Sequence, residues 1–388
     1  MPKQNKDKDI YHGFEQGPIR PPSEAHSLLV RVTRNCPWNR CTFCHVYKES
    51  RFSVRSESHV IEDIEGIHRH VDTLRGLADE SGSILRRDIS AAVQDLAPHE
   101  QDLFSVALNW YAGGMSSIFL QDANSLIIKP DSLIRILDHL RRRFPWVERI
   151  TSYARAHTVA RISDDHLREM RVAGLNRLHM GLESGADSVL QMVCKGVDKQ
   201  TQVKAGRKVK KAGIELSEYV MPGLGGKALW REHALETADA LNQIDPDFIR
   251  LRSLAIPQGI PLAEDQRSGR FVKLGDTDTV REIRLFVATL DGITSMIASD
   301  HILNLFAEVE GRLPEAKAGI LALLDRFLNL PDEERCRFQV GRRMGLFTRL
   351  EDMQRPKRRT KVDAFCTQHG ITPDNVDHMI AQMMTRFI

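Results

Sequence analysis

The chain has 388 residues, 41% of them hydrophobic and 28% charged, the composition of a globular protein that buries a full core. Its 55 basic and 52 acidic residues leave a formal net charge of +3, too even a balance to argue for a nucleic-acid or membrane-surface partner. No apolar run is long enough to span a bilayer, and the polar start MPKQNKDKDIYHGFEQG lacks the apolar segment of a secretory leader, so a cytoplasmic protein is the expectation.

After an N-terminal extension, residues 1–27, the β-branched run LLVRVT (28–33) predicts a first strand. It leads straight into RNCPWNRCTFCHVYK (34–48), which holds Cys36, Cys41 and Cys44. Residues 59–115 are too long for one helix, so a helical insertion is expected near 81–115, in DISAAVQDL or HEQDLFSVALNWYAGG. Further strands are predicted over 116–122, 149–155, 177–183, 214–223 and 247–256. Between them lie amphipathic helices. In PDSLIRILDHLRRRF, Leu133, Leu137 and Leu140 recur at helical spacing, Pro130 opens the first turn and basic residues fill the last. In SDDHLREMRVAG, Ser163 is the expected N-cap and Gly174 the stop. The alternation ends at AIPQGIPLAEDQRSGRF. Helices alone are expected beyond it: 278–310, one opened by Pro314, one opened by Pro331 with Asp332, Glu333 and Glu334 in its first turn, and one over 372–388.

Six strands alternating with helices predict an α/β fold, a (β/α)6 partial TIM-type barrel over 28–262, with an all-helical C-terminal extension over 263–388. Barrel chemistry sits at the C-terminal ends of the strands. The conspicuous polar clusters fall there: the cysteine loop, then QDANS, YARAH, ESG, PGLGGK and RSLAIPQG.

Clustered thiols in a reducing compartment point to metal or redox chemistry rather than a disulfide. A structural zinc site wants four ligands, and a fourth is missing here unless His45 serves beside Cys44, which neighbouring residues rarely achieve at one tetrahedral ion. An iron-sulfur cubane held by three thiolates leaves one iron open for a ligand. Cys194, Cys336 and Cys366 are isolated in sequence and read as core or spectator thiols.

The three-cysteine loop after the first strand, the aromatic Phe43 before its third cysteine, the HMGLESG strand end, the CKG turn and LSEYVMPGLGG together resemble the radical S-adenosylmethionine (SAM) superfamily over about residues 28–262. The resemblance implies a [4Fe-4S] cluster on Cys36, Cys41 and Cys44 whose open iron chelates SAM. Reductive cleavage then gives methionine and a 5'-deoxyadenosyl radical, which takes hydrogen from the substrate. Two departures stand out. The spacing is Cys-x4-Cys-x2-Cys rather than the commoner Cys-x3-Cys-x2-Cys, and LQDANS replaces the Gly-Gly-Glu run expected after the second strand. Asp122 and Asn124 are the substitutes for its grip on the SAM amino group.

By position, the resemblance gives Glu183, with Ser184 beside it, to the ribose hydroxyls, against a helix-capping role for that acid. Arg155 would fork onto the methionyl carboxylate or simply pair with a surface acid. Phe43 would flank the adenine or fill the barrel top, and Gly223 would leave room for SAM or make an ordinary turn. Lesser features are Tyr153, Tyr219 and Arg252 at lumen-facing strand positions. Asp300, His301 and Asn304 are expected within one helical turn, and QRPKRRTK (354–361) as a solvated interhelical loop, the alternative being a contact for phosphate or RNA.

With 27 residues before the first strand no cobalamin domain is expected, and no second cysteine cluster offers an auxiliary centre. The substrate is left open. A small molecule is favoured over a macromolecule and nucleic acid is disfavoured, because RNA-modifying relatives carry an extra β-domain. A flavodoxin or ferredoxin is the expected reductant. The alternatives are a porphyrin enzyme like the oxygen-independent coproporphyrinogen oxidases, whose Tyr-x-His-Ile-Pro-Phe run is absent here, and a non-enzymatic zinc-binding interaction protein. The helical tail from about 278 is expected to govern substrate access, with Phe286, Leu290, Leu305 and Phe306 packing on the barrel.

Overall fold

The computed structural model describes residues 11–94 and 96–384. In chain order, β1 (Leu28–Arg31) leads through β2 (Thr33–Arg34) into the cysteine loop and out through β3 (Ser53–Val54). Then come α1 (Glu57–Leu77), α2 (Arg86–Gln94), α3 (Pro98–Ala112), β4 (Ser117–Gln121), α4 (Pro130–Arg143) and β5 (Arg149–Ala154). They are followed by α5 (Ala156–Val159), α6 (Asp164–Val172), β6 (Leu175–Glu183), α7 (Asp187–Met192), α8 (Lys199–Lys211), β7 (Glu215–Val220), α9 (Gly226–Ile244) and β8 (Phe248–Leu251). The C-terminal region adds α10 (Pro261–Arg267), α11 (Asp276–Thr289), β9 (Met296–Ala298), β10 (Gly311–Arg312), α12 (Lys317–Leu328), α13 (Asp332–Arg343), α14 (Pro356–His369) and α15 (Val376–Met384). The main sheet runs β1-β4-β5-β6-β7-β8-β9-β10, and the fold is the α/β partial TIM-type barrel that the alternation predicts.

Contacts divide the described residues into two bodies, the first lying within 1–39, 46–179 and 208–215 and the second within 40–45, 180–207 and 216–388. In the first, β1 pairs in parallel with β4, and β4 with β5. Strands covered by helices on one face and packed on the other read as apolar runs, which is why Leu28, Leu29, Val30, Ile118, Phe119 and Leu120 are all buried. The apolar stripe of α4, Leu133, Ile136, Leu137 and Leu140, is buried too, and α1 packs against both α3 and α4. Ser163 caps α6 as expected, its hydroxyl accepting the His166 N–H at 3.1 Å. Residues 11–27 lie along this body as a strap. Glu15 pairs with Arg31, Arg34 and Arg55, and the Gly17 amide donates to Gln121 Oε1 at 2.8 Å.

In the second body β7, β8 and β9 are parallel neighbours and β10 returns antiparallel to β9. The C-terminal region is helical, with β9 inside the stretch 278–310 where a single helix was expected and β10 just beyond it. α11 stops at Thr289 and Gly292 turns the chain with φ 67°, after which Met296–Ala298 finds a hydrogen-bonding edge on β8 that outweighs its weak local preference. Asp300, His301 and Asn304 consequently lie on irregular chain, not on one helical turn. The run QRPKRRTK is likewise no loop: Pro356 starts α14, where its missing N–H costs nothing and its fixed φ already suits a helix. Both candidate segments of the 81–115 insertion are helical, as α2 and α3. The last predicted helix is present as α15, and residues 385–388 lie outside the described residues. Phe286, Leu290, Leu305 and Phe306 are all buried, and Phe306, Phe327, Phe338 and Phe347 form a chain of ring contacts. Cys336 is a core residue of α13 whose thiol contacts Cys366 of α14; that contact and burial raise its pKa. Among the described residues, no helix is long and apolar enough to cross a membrane.

Candidate functional site

The cysteine loop is irregular backbone held by asparagines in left-handed conformations, Asn35 with φ 67° and Asn39 with φ 46°, a role that suits asparagine because its short polar side chain bonds locally. Asn35 Nδ2 donates to the Arg51 carbonyl at 2.6 Å, and the Asn39 amide faces Cys36 Sγ at 3.5 Å. Cys36 belongs to the first body, Cys41 and Cys44 to the second. The 40–45 turn is fastened by Thr42, whose amide donates to the Val193 carbonyl at 3.0 Å and whose carbonyl accepts from Leu262 at 3.1 Å. Phe43 packs on an apolar cluster that includes Ala186, Val189, Val193 and Leu262, with the Lys195 ammonium 5.8 Å from its ring centre. Among the described residues no three His, Cys, Asp or Glu side chains gather as ligands of one ion. The fit to a cubane therefore rests on the donors themselves: three half-buried thiols of one loop, none in a disulfide, soft ligands of the kind iron-sulfur clusters take.

At the end of β4, Asp122 and Asn124 are fully buried. Asp122 Oδ2 accepts from Arg31 Nε at 3.0 Å, Arg31 Nη2 at 2.7 Å and the Asn35 amide at 2.8 Å. Its Oδ1 is buried and has no hydrogen-bond partner among the described residues. Gly17 of the strap lies against that oxygen so closely that a Cβ there would stand 1.8 Å away. Asn124 accepts the Arg155 amide at 3.0 Å and donates to Thr158 Oγ1 at 2.9 Å. The Arg155 guanidinium stands 5.1 Å from the Trp38 ring centre, a cation–π contact.

At the end of β6, Glu183 is left-handed, with φ 62°. Its carbonyl accepts from the Met221 amide at 3.0 Å and its carboxylate from Lys195 at 3.1 Å. The two side chains are each 13% exposed. Gly181 permits this arrangement: a Cβ there would meet Glu183 Oε1 at 2.3 Å. The carboxylate caps no helix, because α7 begins after Ala186 without a side-chain cap. Ser184 is a turn residue, its hydroxyl accepting the Ala186 amide at 3.0 Å and its carbonyl accepting from Gln202 at 2.8 Å. Gly223 is left-handed at φ 90°, and its amide donates to Glu282 Oε1 at 2.9 Å.

Beside these lies Glu218 of β7, wholly buried, with neither carboxylate oxygen in a well-formed hydrogen bond to a described residue. Burial pushes its pKa well above the ordinary value; Lys195 and the Leu182 amide oppose the rise and Glu183 adds to it. Arg252 stacks on the Tyr219 ring. After β8, Asn304 accepts from the Ser253 amide and donates to the Leu251 carbonyl and Ser299, and Asp300 pairs with Arg250. His301 is pushed down to about 4 by burial first and by Arg252 second, so it is neutral at physiological pH. The sequence reading passed over Lys195, Glu218, His233 and Glu282 as site residues. Glu218 carried a signal, an acid inside the strand run LSEYV; the last two carried none.

Residues 110–238 match the model of the radical SAM superfamily. A curated relative, the tRNA uridine(34) acetyltransferase of Methanocaldococcus infernus, is 21% identical over 280 residues, 69% of this chain and 50% of its own. The chain thus spans about half the length of that relative. Among solved structures, the archaeal Elp3 of Methanocaldococcus infernus with an N-terminal deletion is 16% identical over 54% of each chain, with a TM-score of 0.39. Methylornithine synthase is 14% identical over 71% of this chain and 66% of its own, with a TM-score of 0.42.

Proposed function

We propose, from the match of residues 110–238 to the radical SAM superfamily model, that the chain is an enzyme whose Cys36, Cys41 and Cys44 hold a [4Fe-4S] cluster and whose strand ends hold SAM. With cluster and SAM bound, the chemistry supplied is reductive cleavage of SAM and hydrogen abstraction from a substrate. The chain's own part is to bind, orient and shield. The Glu183 carboxylate accepts from the ribose hydroxyls, exchanging part of its contact with Lys195. Gly223, without a side chain, admits the cofactor close to backbone. Asn124 spends its amide on Arg155 and Thr158 and Asp122 its Oδ2 on Arg31 and the Asn35 amide, with Gly17 lying over the other oxygen, so both shape the β4 end. A small-molecule substrate, a flavodoxin- or ferredoxin-type reductant and a cytoplasmic setting belong to the same reading.

The observation that carries it is the three-thiol loop leading out of the first strand. Anaerobic reconstitution should load about four irons per chain. Incubation with SAM and dithionite should then release 5'-deoxyadenosine, read by chromatography. Cys41→Ala should lose the iron while Cys194→Ala keeps it. Unchanged iron in Cys41→Ala protein sinks the assignment.

A further inference from the structure

The candidate ligand residue Glu183 and the glycine Gly223 are both left-handed, and each is tied by one main-chain atom to the same buried pair. His233 of α9 presents Nδ1 to Glu282 Oε1 of α11 at 2.8 Å and Nε2 to the Glu183 carbonyl at 3.1 Å. The same Glu282 oxygen accepts the Gly223 amide at 2.9 Å. Both side chains are buried. We propose that His233 and Glu282 are positioning residues for the SAM site, so that α11, beyond the matched domain, fixes the backbone that presents Glu183 and Gly223. This rests on the functional reading above.

The chemistry of the pair argues for more than packing. Both ring nitrogens face acceptors, so His233 satisfies them only by donating from both, as imidazolium. Burial opposes that charge, yet the Glu282 carboxylate and the Glu183 carbonyl outweigh it and raise the His233 pKa. A buried ion pair contributes little net stability compared with well-packed apolar side chains of the same volume. What it adds is direction: donors and an acceptor aimed at two particular main-chain atoms. A left-handed non-glycine residue such as Glu183 is disfavoured unless its surroundings hold it. α9 grips the same segment a second time, Thr237 Oγ1 accepting the Gly185 amide at 2.9 Å. Gly185 has to be glycine there, since a Cβ would stand 2.2 Å from the Glu236 carbonyl.

The test compares wild type, Glu282→Ala, Glu282→Gln and His233→Gln. Glutamine at 282 keeps an acceptor for Gly223 and removes the charge. In unloaded protein, hydrogen exchange of peptides covering 182–186 and 221–225 should quicken in Glu282→Ala, and less in Glu282→Gln, with the rest of the chain unchanged. After reconstitution, SAM should bind Glu282→Ala about tenfold more weakly, with Glu282→Gln between it and wild type and iron content equal in all. Wild-type exchange and affinity in a folded Glu282→Ala overturn the proposal. So does exchange that quickens throughout the chain together with iron loss, which marks general destabilisation. Should Glu282→Ala not fold, Glu282→Gln and His233→Gln decide by the same two readouts. A wild type that takes up neither iron nor SAM overturns the functional reading instead, while exchange in the unloaded chain still reports whether the pair holds the strand ends.

Discussion

The ends of β4 and β6 are both polar and both carry an acid, yet they spend their polar atoms differently. At β4, Asp122 and Asn124 are buried and engaged with Arg31, Asn35, Arg155 and Thr158. At β6, it is the main chain of Glu183 that is engaged, by Met221 and His233, while its carboxylate meets Lys195 at the edge of solvent. Polar residues at a strand end therefore either build the end or serve a ligand. Which they do is read from the atoms already consumed. Asp122 mostly builds; Glu183 has its backbone fixed and its carboxylate exchangeable.

The largest effect should come from Asp122→Ala. It leaves the Asn35 amide without its acceptor and Arg31 with Glu15 alone of its two carboxylate partners. Breaking a buried ion pair costs roughly 3–5 kcal/mol, and the remaining Glu15 contact places the expected loss near the lower end. The urea midpoint of the unloaded protein checks it. A wild-type midpoint together with lost SAM affinity would reverse the contrast and make β4 the ligand-bearing end.

Glu183→Ala should act mainly on the ligand. Its pair with Lys195, each side chain 13% exposed, lies between a surface pair worth about 1 kcal/mol or less and a buried one worth roughly 3–5 kcal/mol, so the midpoint should fall by less than in Asp122→Ala. A charge-assisted hydrogen bond to ribose is worth roughly 1.5–3 kcal/mol, about a ten- to a hundredfold loss of SAM affinity. Calorimetry on reconstituted protein reads it, and unchanged affinity would mean that β6, like β4, only builds.

How much of this was legible depended on whether the signal was local. β1 and β4 could be placed because buried parallel strands read as apolar runs, and the start of α6 because Ser163 announces its cap. β9 escaped because three residues carry no periodicity and owe their state to an edge offered by β8. The basic run at 354–361 was misread because α14 begins with a polar turn and no apolar stripe. At the site, the cysteines and Glu183 stood in recognisable strings. His233 and Glu282 did not: they come from two helices far apart in the chain, and a lone polar residue on an amphipathic helix looks like any other. Their partners are main-chain atoms, which leave no trace in composition.

A third prediction sharpens the contrast from inside β7. Glu218 is buried with neither carboxylate oxygen in a well-formed hydrogen bond to a described residue, and burial raises its pKa, with Lys195 opposing and Glu183 reinforcing. The folded state therefore keeps a proton that the unfolded chain releases near the ordinary carboxylate range. Stability is fully present below that range and is lost as pH rises toward the folded-state pKa, at up to about 1.4 kcal/mol per pH unit. Glu218→Gln removes the titration and keeps the shape. Its advantage over wild type should grow as pH rises from 5 to 7, read as the difference between denaturation midpoints at each pH. If the two curves run parallel, Glu218 is ionised in the folded protein and shares the negative charge of this region. If they diverge, Glu218 is neutral, and the charge available to a ligand at the end of β6 belongs to Glu183.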